Sequence, residues 1–237
     1  MTLTDDLLGP RLATDAAAPL VTYYDDATGE RIELSGTTLA NWAAKTANLL
    51  RDECDLEPGG RVAVLLPAHW QTLAVLLGAW WCGAEVVADP QGADVVCCDA
   101  DRLALAGAAG AGVTVALSLH AFGKGLPGLP PGVVDYATEV RLHGDVFMPD
   151  GPGDAAALTL EGADTAAVLA AARAAARAEG LAGGCRVLTT RDWSVADGLI
   201  EVPLAVLAAG GSLVQCRNVD PAALDRRAAS ENVTHRL

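Results

Sequence analysis

A chain of 237 residues is long enough to bury a substantial core, as one large α/β unit or two smaller ones. Hydrophobic residues make up 51% of it and charged residues 19%, which excludes a disordered or fibrous protein. Thirty acidic residues against sixteen basic ones give a net charge of −14, which disfavours nucleic acid and membrane as partners.

Met1 to Pro19 reads as a short helix or arm followed by a loop. Leu20–Tyr24 and Glu30–Leu34 are β-like runs around Asp25-Asp26-Ala27-Thr28-Gly29, a hairpin with glycine at the tight position. Leu39, Trp42, Ala43, Thr46, Leu49 and Leu50 then recur at intervals of three and four, which predicts an amphipathic helix with Ser35 or Thr37 as N-cap. Arg61–Leu66, between Pro58-Gly59-Gly60 and Pro67, has the character of a buried interior strand. Trp70 to Cys82 is a nearly all-apolar helix ended by Gly83, and Val86-Val87 starts the next strand. Strand, helix, strand is a βαβ unit, and it predicts a parallel sheet.

Ala93–Cys98 and Val113–Leu117 read as further strands, with a helix over Asp99–Ala109 between them. His120 to Gly132 carries four glycines and three prolines and is loop. Val133–Leu142 fits a short helix. Residues 149–154 are the clearest linker, which divides the chain into a first α/β subdomain, 1–148, and a second segment, 155–237, packed with it. Ala155–Leu160 is a strand, and Asp164–Glu179 an alanine-rich helix unless it is low-complexity sequence. Cys185–Thr190 is a strand, and Leu204–Ala209 a helix that Pro203 either opens or kinks. Ser212–Cys216 is the last expected strand, and Asp220-Pro221 starts a helix to about Ser230. The end, Val233 to Leu237, carries no closing element.

The longest uncharged apolar run, Leu73 to Ala84, is too short for a bilayer span, and Met1 to Asp6 shows no secretory signal. A cytoplasmic location is expected. Arg far outnumbers Lys, which fits a GC-rich bacterial genome. The six cysteines have no metal-ligand cadence with the four histidines, so no metal site is expected. The vicinal Cys97-Cys98 pair reads as buried strand thiols rather than a redox pair.

Three segments resemble the AMP-forming acyl-CoA synthetases and related adenylate-forming ligases. They are Leu34-Ser-Gly-Thr-Thr-Leu39; Leu56-Glu-Pro-Gly-Gly-Arg-Val-Ala-Val-Leu-Leu-Pro67 with its helix to Gly83-Ala84; and Cys185-Arg-Val-Leu188 through Ala208-Ala-Gly-Gly-Ser-Leu-Val214 to Asn232-Val-Thr-His235. The resemblance implies the N-terminal part of that fold: α/β, with a layered, largely parallel sheet flanked by helices. It covers only the first half of a full ligase; the adenine motif and the catalytic-lysine domain would lie beyond Leu237.

The family's Ser/Thr/Gly-rich phosphate loop ending in Pro-Lys-Gly corresponds to Leu158-Thr-Leu-Glu-Gly-Ala-Asp-Thr165. This degenerate position, Thr159, Glu161, Gly162, Asp164 and Thr165, holds one glycine, no lysine and two carboxylates. A phosphate cradle needs converging N–H groups and a cation, so no nucleotide cofactor is assigned. Asp164 is the N-cap of the next helix in preference to a ligand. Where the family often has an aromatic-His pair, the chain has Asp192-Trp193-Ser194-Val195-Ala196-Asp197, and Ser194 and Asp197 have the spacing of a capping box. His69 is either a surface or cap histidine or, with Trp193, part of a crevice at the carboxyl edge of the sheet.

No catalytic residue is assigned, and the expected function is that of a catalytically inactive relative acting as an interaction or binding module. The alternatives are a binder of small acyl or nucleotide molecules and one half of a split ligase. A homo-oligomer or protein partner is expected, with contact through apolar surface between Leu213 and Leu237.

Overall fold

The computed structural model of the chain describes residues 1–149 and 158–237. Helix α1 (Leu3–Asp15) starts at Thr2, whose hydroxyl accepts the Asp5 N–H while the Asp5 carboxylate accepts the Thr2 N–H. Strands β1 (Pro19–Asp25) and β2 (Glu30–Ser35) form the expected antiparallel hairpin. Ser35 caps α2 (Gly36–Asp52), accepting the Thr38 N–H at 3.1 Å. Strand β3 (Arg61–Leu65), helix α3 (Trp70–Trp81) and strand β4 (Glu85–Val87) make the βαβ unit, and β3 and β4 pair in parallel. A second unit follows: β5 (Val95–Asp99), α4 (Leu103–Ala109) and β6 (Val113–Leu117).

The segment expected to be one helix over Val133–Leu142 splits into β7 (Val133–Asp135), α5 (Tyr136–Glu139) and a 3-10 turn. Val133 and Val134 pair with Thr114 and Val115 on the open edge of β6, and Asp135 caps α5 through the Ala137 N–H. Two β-branched residues beside an open edge outweigh a weak helical pattern. Of the expected linker only Pro149 is described; 150–154, and 155–157 of the strand expected over Ala155–Leu160, lie outside the described residues.

Strands β8 (Leu158–Leu160) and β9 (Ala163–Asp164) lead into α6 (Thr165–Ala178) and β10 (Arg186–Thr189). Pro203 lies within a π turn, Ile200–Leu204, that runs into α7 (Ala205–Ala208), so it kinks a longer helix. After β11 (Ser212–Arg217) come α8 (Leu224–Ser230) and β12 (His235–Arg236). The last is a correction: the chain end carries a closing strand, with His235 and Arg236 registered in parallel on Val187 and Leu188 of β10.

Two sheets result, in the orders β12-β10-β11-β1-β2 and β7-β6-β5-β3-β4-β8-β9. All neighbours are parallel except β1–β2 and β8–β9. Both sheets take strands from either side of 149–154, so that boundary does not divide one sheet from the other. Strand β3 is interior, as its apolar run required.

The packing is layered. Val62, Val64, Val86 and Cys97 face a large core shared with α2 and α3, while Ala63, Val87, Val96 and Cys98 face the other side, under α4. Val187 and Leu213 of the first sheet close the same large core; Leu188, Val214 and Cys216 point outward beneath Leu224 and Val233. Helices α2 and α3 therefore lie between two sheets. This explains why every residue from Trp70 to Trp80 is buried and why α3 has no polar face. At Gly78 an added Cβ would meet the Thr46 Cβ at 2.8 Å and the Ala43 carbonyl at 2.9 Å, so only glycine lets α3 lie this close to α2.

All six cysteines are free and buried, and neighbours Cys97 and Cys98 point to opposite faces of β5. Burial pushes the Cys54 thiol up to about 12, which removes thiolate chemistry at neutral pH. Among the described residues no helix is long and apolar enough to cross a membrane.

Candidate functional site

The segment Leu158–Thr165, expected from the resemblance to correspond to a phosphate loop, is a tight β-hairpin. Leu160 and Ala163 pair across the two-residue turn Glu161-Gly162, whose φ angles are +47° and +80°, both positive as a two-residue hairpin favours. Its amides are already engaged: Glu161 N–H donates to the Val86 carbonyl at 3.1 Å, and Gly162 N–H to the Glu85 carboxylate at 2.8 Å. The Glu161 carboxylate accepts the Ala88 N–H. Asp164 is the N-cap of α6, accepting the Ala167 N–H at 2.8 Å, and Thr165 shares a hydroxyl–hydroxyl bond with Thr159 at 2.9 Å. The Thr159 carbonyl accepts the indole N–H of buried Trp80 at 2.9 Å. An anion here would face three carboxylates, Glu85, Glu161 and Asp164, with Arg61 already paired to Glu85 at 3.4 Å.

The second candidate region lies at the carboxyl ends of the strands. Strand β3 runs into α3 on the inner face of its sheet, whereas β5 runs into α4 on the outer face. Helices thus change sides between adjacent strands β3 and β5, which is where open α/β sheets bind ligands. A cavity of about 580 Å³ opens there. Its walls come from Leu66 and Pro67 after β3, Asp99 to Arg102 at the end of β5 and just past it, Ser118 after β6, Trp193 in the loop after β10, and Arg217 at the end of β11. Trp193 is buried and anchored by its indole N–H on Gln215 at 2.9 Å. Ser194 and Asp197 do not cap a helix. Their backbones close a turn on each other, Ser194 N–H to Asp197 carbonyl at 2.7 Å and the reverse at 3.1 Å, and both residues line the cavity. Asp99, Asp101, Asp192 and Asp197 against Arg102 and Arg217 make the walls predominantly acidic. Arg102 is paired to Asp99, and Arg217 reaches the Tyr23 hydroxyl.

His69 does not line this cavity. It is the N-cap of α3, only 2% exposed, and its Nδ1 accepts the Gln71 N–H at 3.1 Å. The ring proton therefore sits on Nε2, which faces Glu30 Oε1 at 3.8 Å; both atoms are buried without a hydrogen-bond partner. Burial lowers the His69 pKa below the ordinary 6.5 and outweighs the attraction of Glu30, so the imidazole is neutral. The Tyr23 ring packs edge-on at 4.5 Å, and burial pushes its phenol up to about 12. Of the two crevice residues expected from sequence, the structure brings only Trp193 to the cavity.

Asp99, Asp101 and Arg102 were missed because they lie at the start of the helix expected over Asp99–Ala109, where Asp99 does cap the first turn by accepting the Arg102 N–H at 3.1 Å, and Arg217 because it lies just past the strand expected over Ser212–Cys216. Their position just past strand ends was the available signal. Among the described residues no group of three or more His, Cys, Asp or Glu is placed to hold a metal ion.

The chain is 54% identical to a protein of Mycobacterium tuberculosis (strain ATCC 25618 / H37Rv) described as a TIGR03089 family protein. That alignment runs over 242 residues, 100% of this chain and 98% of its relative. No protein-family model matches the chain. Among solved structures, an acyl-CoA synthetase of Brucella canis superposes with a TM-score of 0.79 at 19% identity, covering 100% of this chain and 47% of that one. The anthranilate CoA ligase AuaEII, solved with anthranoyl-AMP, superposes at 0.68 with 14% identity, over 90% of this chain and 44% of that one. The chain therefore has the fold of the N-terminal part of an adenylate-forming ligase, and it spans just under half the length of those two enzymes.

Proposed function

The chain belongs to the TIGR03089 family, and from that premise we propose that it is a non-adenylating user of the ligase fold that works by binding. Its ligand is a small polar molecule carrying a positively charged group, held in the cavity at the carboxyl strand ends. One observation carries the non-adenylating part: the Glu161-Gly162 hairpin, whose amides are engaged within the protein and whose neighbours are carboxylates. Phosphoryl chemistry needs preorganised donors aimed at developing negative charge, and this segment offers acceptors. The excess of carboxylates around Trp193 supports the choice of a cationic ligand, with Arg217 available for an anionic group on the same molecule.

The test pairs two measurements on the full chain. Pyrophosphate exchange with Mg-ATP and a panel of carboxylic acids is expected to stay at background; robust exchange, lost on altering Leu158–Thr165, overturns the proposal. A thermal-shift panel of amines and amino acids, with ATP, AMP, CoA and acyl-CoAs alongside, is expected to give stabilisation by amine-bearing compounds that Asp101→Asn weakens. The interaction side of the proposal, a second copy or a protein partner, predicts mass that grows with concentration in light scattering. A strict monomer at high concentration removes the second copy.

A further inference from the structure

We propose that the amino ends of the first sheet's strands form a second binding site, an arginine-lined recess for a small multivalent oxyanion. It lies at the other end of that sheet from the cavity around Trp193. Arg186 and Ser212 are the first residues of β10 and β11, and Pro19 is the first of β1. Together with Arg11 from α1 and Arg31 from β2 they border a recess of about 450 Å³. Three of the sixteen basic side chains of a chain with net charge −14 thus converge on one place.

Two carboxylates enter the same recess, and neither neutralises it. Glu231 is paired to both Arg31, at 2.9 Å, and Arg186; Glu33 is paired to Arg31 at 2.7 Å. Among the described residues Arg11 has no ion pair within 4 Å. Its hydrogen bond goes to the Pro19 carbonyl at a long 3.3 Å, and its Nε–H is buried without a partner. Three guanidinium groups facing two carboxylates leave one positive charge in excess. A neutral group at the rim can donate as well: the Ser212 hydroxyl lies 3.4 Å from Arg186.

The chemistry points to one ligand class. Guanidinium groups bind carboxylate and phosphate oxygens through paired N–H donors, and a partly enclosed recess strengthens those bonds relative to open water. A monovalent anion would meet only the excess charge. An ion with two or more negative charges can engage Arg11 and share Arg31 with its existing partners, so phosphate-bearing and polycarboxylate molecules are favoured over chloride.

Isothermal titration of the full chain with inorganic phosphate, pyrophosphate and citrate tests this, with potassium chloride at matched ionic strength as the reference. Saturable binding of at least one of the three, weakened tenfold or more (about 1.4 kcal/mol) in Arg11→Gln, is the expected result. Phosphate or pyrophosphate without citrate identifies a phosphate-bearing ligand, and citrate at comparable strength identifies recognition of any compact polyanion. Heat no greater than that with chloride, or equal binding by Arg11→Gln and Arg31→Gln, overturns the proposal. Circular dichroism checks that each variant is folded, and Arg31→Gln, whose side chain is 46% exposed, serves if Arg11→Gln is not.

Discussion

At the carboxyl ends of β3, β5 and β6 the chain gathers Asp99, Asp101, Asp192 and Asp197 around Arg102 and Arg217, whereas at the amino ends of β1, β10 and β11 it gathers Arg11, Arg31 and Arg186 around Glu33 and Glu231. The two recesses therefore have opposite local balances within one strongly acidic molecule. Net charge governs solubility and long-range steering, but a recess a few ångströms across is ruled by the groups that line it. The two ends also differ in how their charges are held. Most of the carboxylates of the first are presented by turns after strands, while Arg31 and Arg186 of the second are tied to the buried Glu231, 6% exposed, and through it to α8.

Both ends hang on the same layer of buried helices, so the largest effect comes from disturbing that layer. Gly78→Val forces a side chain into the space taken by Thr46 and is expected to cost about 3 kcal/mol or more, lowering the urea midpoint and weakening both recesses together. A loss under about 1 kcal/mol would mean that α2 and α3 separate freely and that the two ends are not mechanically joined.

Glu231→Ala acts on one end alone. It leaves Arg186, 14% exposed, without its carboxylate, and a broken buried pair costs about 3–5 kcal/mol. Arg31 is half exposed and screened, so about 2 kcal/mol is expected here. Phosphate is expected to restore part of that loss in the variant, because the freed arginines take the anion. Equal destabilisation with and without phosphate would separate the ion-pair network from anion binding.

A smaller effect comes from the buried His69–Glu30 contact. The folded state holds His69 neutral, with its pKa below 6.5, whereas the unfolded chain takes up a proton near that value. The unfolded state then binds more protons, so stability is full above the unfolded value and falls as pH drops below it. Each unit of lowering is worth about 1.4 kcal/mol on full acidification. Urea midpoints measured from about pH 8 down to about pH 5 are expected to fall in the parent and to flatten in His69→Gln. An identical acid limb in the variant would place the titration elsewhere.

Much of the architecture was legible. The short apolar run within Arg61–Leu66, bracketed by turn residues, and the nearly all-apolar Trp70–Cys82 signalled a buried strand and a helix covered on most sides. Val133-Val134 and His235-Arg236 gave no such signal, since three-residue and two-residue strands exist only because β6 and β10 offer edges to pair with. At the candidate site, the missing lysine and the carboxylates of Leu158–Thr165 could be read directly, but the engagement of its amides by Glu85 and Val86 could not.

By itself the sequence determined the elements whose cause is local: the alternation of strand and helix, the cap at Asp164, and the narrowing of the cap of α2 to Ser35 or Thr37. Periodicity, turn chemistry and composition act over a few residues, and that is where their information ends. Only the tertiary structure decided that His69 is an interior cap facing Glu30 and that Trp193 walls a cavity. It alone decided that Arg11, Arg31 and Arg186 meet, because charges far apart along the chain come together only when helix α1, the antiparallel β2 and the parallel β10 are packed into one sheet and its cover.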